Sequence, residues 1–94
     1  MMWGDAFKQA IPRLAPKVKK CDCPQVQESM NLCTYQEAVR HRKNFLARIY
    51  SNARKSAFYR NIPGRVVLSK IFEVMKIAAQ TAYPSSYNES DWTY

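Results

Sequence analysis

The sequence is short of three things that common functional classes require. It holds two glycines, Gly4 and Gly64, a single histidine, His41, and 7 acidic residues against 15 Lys and Arg in 94 positions. Two isolated glycines exclude a glycine-rich phosphate loop. One histidine, acids scattered singly and no serine-nucleophile motif leave nothing to build acid–base or covalent catalysis from, so neither an enzyme nor a cofactor is expected. Nor is there an uninterrupted apolar run of about 18 residues, because Lys70, Glu73 and Lys76 break the best stretch, Val66 to Ala79. No membrane-spanning helix is expected.

What is present is apolar and basic. With 47% apolar and 13% aromatic residues the chain is too rich for disorder, and the scarcity of glycine among helix formers points to one all-α domain. A chain of this length buries a modest core worth only a few kcal/mol. The formal charge is +8 and unevenly spread: Thr34 to Lys70 carries nine Lys and Arg against Glu37 alone, while Ser85 to Tyr94 carries Glu89 and Asp91 and no base. A field so polarised favours a polyanion, an anionic membrane or an acidic protein.

Four segments follow. Residues 1–20 form a basic amphipathic arm, with apolar Trp3, Phe7, Ala10, Ile11 and Leu14, five bases and one acid. This arm reads either as a mitochondrial targeting-type segment or as a first core helix. Pro12 cannot donate to the carbonyl of Lys8, so its helix should stop near Ile11. Residues 21–33 are a cysteine-containing linker with a short helix from Pro24 to about Asn31. Residues 34–82 should form an antiparallel helical hairpin. Thr34 and Glu37 make a capping box that starts the first helix, about 35–60, and the second covers about 65–81. Pro63-Gly64 between them suits the centre of a type II turn. Residues 83–94 form an extended, acidic, aromatic tail in which Tyr83, Tyr87, Trp92 and Tyr94 should dock on a surface of this chain or of a neighbour.

On the first hairpin helix the 100° periodicity gathers Leu46, Ile49, Tyr50 and Ala53 on one face. Arg40, Lys43, Arg48, Arg54 and Lys55 turn outward as a solvated or partner-binding surface. Arg42 projects into the apolar stripe, where it must pair or snorkel. His41 lies between basic neighbours and reads as a surface residue.

Cys21, Cys23, Cys33 and His41 are the ligand types of a Cys3His zinc site, but their spacings are not those of zinc knuckles, so a metal is not favoured. The nine residues between Cys23 and Cys33 resemble one half of the twin Cx9C pattern of mitochondrial helical-hairpin proteins. The second half is missing, and the resemblance implies a disulfide without placing the chain in that family. Phe58-Tyr59-Arg60 resembles the Leu-Tyr-Arg motif of small mitochondrial three-helix proteins, over three residues only, and that family is not carried over.

Together these features lead us to expect a non-catalytic accessory subunit of a large mitochondrial inner-membrane assembly, such as a respiratory-chain complex, giving structural or assembly support. It would sit peripherally on other protein subunits and possible anionic lipid such as cardiolipin. The alternatives are a basic ribosomal or RNA-associated protein, which would bind nucleic acid by charge and shape, and a zinc-stabilised module.

Overall fold

The computed structural model describes residues 2–14, 23–54 and 60–93. Among them are five α-helices, α1 (Trp3–Leu14), α2 (Cys23–Asn31), α3 (Tyr35–Arg40), α4 (Arg42–Ala53) and α5 (Gly64–Ala82), then a 3-10 turn η1 (Glu89–Asp91), and no strand. The fold is all-α. Its radius of gyration, 12.4 Å, matches the roughly 12 Å of a packed domain this long, so the terminal segments fold back rather than reach out.

The centre is α5. It buries Val67, Ile71, Val74, Met75 and Ala78 together with Phe72 and Ala79, an apolar arc too wide for one neighbouring helix to cover. Two helices share it. α4 covers one side, as the hairpin reading expects, but the larger contact is with α1. Trp3, Ala6 and Phe7 are buried there, so Trp3–Leu14 is built into the core as a helix.

α1 also runs through Pro12 to Leu14, beyond the expected stop at Ile11. Pro12 falls in its last turn, where losing one amide donor leaves the preceding turns whole, and packing on α5 and α2 outweighs the local cost.

α2 lies against α1 at very close range. A β-carbon on Gly4 would overlap the backbone carbonyl of Gln27 and stand 2.6 Å from Asn31 Oδ1, so glycine is required here for space. The seam is polar at its edge. Asp5 Oδ1 accepts from Gln27 Nε2 at 2.6 Å and Asn31 Nδ2 at 3.1 Å, while Asn31 Oδ1 accepts the Asp5 amide at 3.1 Å.

Those side-chain donors, Asn31 before Gln27, hold the Asp5 carboxyl below its ordinary value of 3.8. A depressed native pKa contributes stability that is complete above the unfolded value and is lost as pH falls through the folded one. Wild type should therefore exceed Asp5→Asn in urea-denaturation midpoint at neutral pH, and the gap should close in strong acid. A gap that stays constant across that range would show that the charge on Asp5 is irrelevant.

The capping box of α3 is formed as expected. Thr34 Oγ1 accepts the Glu37 amide at 3.2 Å, and Glu37 Oε1 accepts the Thr34 amide at 3.1 Å. Thr34→Ala should cost about 1 kcal/mol and raise amide exchange at Glu37, and unchanged exchange there would refute the cap.

The single helix expected over 35–60 is instead broken at His41, whose φ of -101° and ψ of 11° interrupt the ladder between α3 and α4. Arg42 compensates for the break. Its Nη1 donates to the Val39 carbonyl at 2.7 Å and its Nε to the Thr93 carbonyl at 3.0 Å. The base in the apolar stripe is thus paired with backbone, and the pairing ties the tail to the kink.

The Pro63-Gly64 turn also differs from expectation. Pro63, at φ -52° and ψ 135°, caps α5, and Gly64 is its first helical residue with no positive φ. Glycine serves there as empty space, since a β-carbon would strike the Tyr50 hydroxyl.

The tail is not extended. It turns after Tyr83, winds into η1 and buries Trp92 against α1 and α5. The Trp92 ring meets Trp3 edge-on at 5.8 Å, Phe72 at 6.2 Å and Tyr87 at 6.4 Å.

A candidate basic face on helices α3 and α4

α4 divides its residues cleanly. Leu46, Asn52 and Ala53 are buried and Arg42, Phe45, Ile49 and Tyr50 half-buried, while Lys43, Asn44, Ala47, Arg48 and Ser51, with the capping residue Arg54, are exposed. The division follows from the 3.6-residue period applied to this sequence.

Arg40, exposed at the end of α3, continues the outward set across the kink. Four of the five bases read from the sequence as a surface, Arg40, Lys43, Arg48 and Arg54, therefore share the outside of α3 and α4. Lys55 lies outside the described residues.

Lys43 and Arg54, eleven residues apart, align on one margin of the face over about 16 Å, and Arg48 stands about 140° round from Lys43. Among the described residues of α4, the short side chains Asn44, Ala47 and Ser51 lie between these margins. Arg54 is steadied by its own neighbours, with Nη1 donating to the Ile62 carbonyl at 3.2 Å and the guanidinium 5.8 Å from the Tyr50 ring centre.

No acid occurs in the sequence between Glu37 and Glu73. Glu37 is engaged in the Thr34 cap, and the tail acids are held elsewhere. Glu89 pairs with Lys76 at 3.4 Å, and Asp91 accepts from the Tyr35 hydroxyl at 2.8 Å. The described outward residues of α4 thus include bases and no acid of that helix's own.

The cysteines behave differently. The Cys33 thiol donates to the Ser29 carbonyl at 3.4 Å, and burial, aided by the negative charge of Glu37, pushes its pKa up, which disfavours the thiolate a metal would bind. His41 is exposed at the kink. Cys21 and the side chain of Cys23 lie outside the described residues, among which no group of three metal-binding side chains gathers.

The disulfide suggested by the half Cx9C pattern does not fit within one chain. α2 begins at Cys23 and rises about 12 Å to Asn31, and the bond from the Cys33 amide to the Met30 carbonyl keeps Cys33 at that far end, whereas bridged Cα atoms lie within about 7 Å.

The aromatic docking residues bind this chain's own surface. The Tyr83 hydroxyl donates to the Cys33 carbonyl at 2.8 Å, and its ring meets Tyr35 edge-on at 5.5 Å. Tyr35 then receives the tail, since its hydroxyl also accepts the Asn88 amide at 2.9 Å. Tyr94 lies outside the described residues. Sequence reasoning missed Tyr35 and Trp3 as receptors of the tail, because neither contact has a local signature. Their only sequence signal was aromatic character beside an apolar period.

The crease where α3 meets the tail, lined by Thr34, Tyr35, Gln36, Val39, Ser86 and Asp91, is a depression of about 720 Å³ that is largely open to solvent. Its one carboxylate is already bonded to Tyr35, so it brings together no acid–base pair. Compared with protein-family models, curated proteins and solved structures, the chain matches none.

Proposed function

We propose that the chain is a non-catalytic accessory subunit of a large mitochondrial inner-membrane assembly of the respiratory-chain kind, held at its periphery by the basic face of α3 and α4. The observation that carries this reading is the exposure of Arg40, Lys43, Arg48 and Arg54 along the outside of α3 and α4, mounted on a body whose core is already closed by α1, α5 and the tail. Such a face suits acidic subunits or a cardiolipin-rich surface, where each base near an anionic membrane is worth about 1 kcal/mol. The acid-poor amphipathic start supports the mitochondrial setting. No helix of the described residues is long and apolar enough to cross a membrane, which is in keeping with peripheral attachment.

Replacing Arg40, Lys43, Arg48, Arg54 and Lys55 together by Gln tests the reading. Exposed pairs contribute about 0–1 kcal/mol each, so helicity should persist with a modest fall in midpoint, part of it from the lost Arg54 bond to Ile62. Co-migration with inner-membrane complexes on native gels should be lost, and wild-type association should weaken with salt as the field is screened. Incorporation at wild-type level in low and high salt would overturn the proposal. Preferential binding of wild type to RNA, with a steep salt slope, would replace it by an RNA-associated role.

A further inference from the structure

The outer surface of α5 is complementary to its own reverse. The inner arc of this helix packs on α1 and α4, and on the opposite side Val66, Lys70, Glu73 and Ile77 are exposed at intervals of four, three and four residues. At 100° per residue these positions fall within about 60° of one another, a narrow stripe about 16 Å long. An apolar residue stands at each end, with a base and an acid at the centre. We propose that this stripe is an interface between two copies of the chain, with their α5 helices antiparallel about a two-fold axis that crosses the stripe between Lys70 and Glu73.

The register follows from the symmetry, because a two-fold contact that sets one residue against another also sets the second against the first. Placing Val66 against the partner's Ile77 brings Lys70 opposite the partner's Glu73, and the axis repeats both pairs. Intervals alternating between three and four are those of a coiled-coil seam. Charge fixes the direction. A parallel, in-register pair would set lysine against lysine and glutamate against glutamate, which repulsion disfavours.

Single exposed apolar side chains are ordinary on a protein surface. What distinguishes Val66 and Ile77, 42% and 38% exposed, is that they stand at equal distances from the centre of an oppositely charged pair. Ser69 and Thr81, exposed on the two flanks of the stripe, are small enough for helix axes to approach to about 8–10 Å. Four such layers bury less than the roughly 1,200 Å² of a stable specific complex, so the dimer is weak, with a dissociation constant on the order of tens of micromolar. This interface goes beyond the docking function proposed above and uses none of the bases of α3 and α4, so the two stand or fall separately.

The test is sedimentation equilibrium of the full-length chain. Reductant excludes disulfides between copies, and salt at about 0.15 M screens the repulsion between two chains of charge +8. With rising concentration the mass should climb from one chain to two and stop there, because a two-fold contact closes on itself. K70E or E73K sets like charges against each other at both central pairs and should weaken dimerisation about thirtyfold, with unaltered circular dichroism. An equal mixture of K70E and E73K should dimerise at about wild-type strength, since one chain then carries acids at both positions and the other bases at both. The doubly exchanged K70E/E73K should do the same with itself. The mixture is the decisive arm, because each chain in it keeps its own like charges along α5 and only the contact between copies is mended.

A wild-type mass of one chain up to about 1 mM, or growth beyond two chains, would overturn the proposal. So would single reversals that leave the dimer intact, or a mixture that associates no more tightly than its components.

Discussion

Trp3→Ala should destabilise the chain by about 3–5 kcal/mol, a large share of the roughly 5–14 kcal/mol available to a domain this long. Trp3 is fully buried near the start of α1 and touches three other elements. Its Nε1 donates to the Met75 carbonyl on α5 at 3.3 Å, its ring meets Phe45 of α4 edge-on at 5.3 Å, and it forms part of the seat of Trp92. Truncation would leave a cavity where α1, α4, α5 and the tail converge. Because the site is enclosed by helices fixed at other points, little of that cavity can collapse. Urea denaturation followed by circular dichroism measures the effect. A midpoint equal to wild type would mean that residues 3–14 are a detachable arm, and the core described above would be wrong.

That α1 belongs to the core was only half legible in the sequence. The period of Trp3, Phe7 and Ala10 showed an apolar stripe, but a stripe does not say whether its partner is this chain, a membrane or a receptor. The breadth of the α5 arc was the better clue, since more than one helix is needed to cover it. Local devices were read correctly where their partners lie within one turn, as with Thr34 and Glu37. They misled where distant contacts decide. Pro12 does not end α1, because packing outweighs one missing amide bond. Gly64 opens α5 at an ordinary φ, because the constraint is the Tyr50 hydroxyl and not the backbone.

Arg42 occupies an intermediate case. Its position in the apolar stripe declared that it must find a partner, yet the partners are a carbonyl freed by a helix break and another fifty-one residues away. The outward bases of α4 were the most legible part of the candidate site, since exposure there follows from helical period alone.

The tail supplies the second large effect, and it separates burial from hydrogen bonding. Trp92 is as deeply buried as the core of α5, so Trp92→Ala should also cost several kcal/mol, about 3 and toward the low end for a tryptophan. The reason for the lower value is polar. Unlike Trp3, Trp92 buries its Nε1 without a hydrogen bond among the described residues. The Tyr35 hydroxyl is close enough to feel it, but the geometry falls short of a bond. A buried donor left unmatched costs about 1–3 kcal/mol, and removing it recovers part of what the lost packing takes away. Trp92→Phe should therefore cost far less than Trp92→Ala, whereas Trp3→Phe, which gives up the bond to Met75, should cost more than Trp92→Phe. The chain's only tryptophans are Trp3 and Trp92, so in either Trp92 variant the emission of Trp3 reports its own cover. Trp92→Ala should shift that emission to the red and expose the Asn88 amide to exchange as its bond to Tyr35 opens, while protection at Glu37 persists. A blue emission with Asn88 still protected would show that the hydrogen bonds to Tyr35 and Arg42 hold the tail without its tryptophan. In that case the aromatic cluster follows from the docking of the tail and does not cause it.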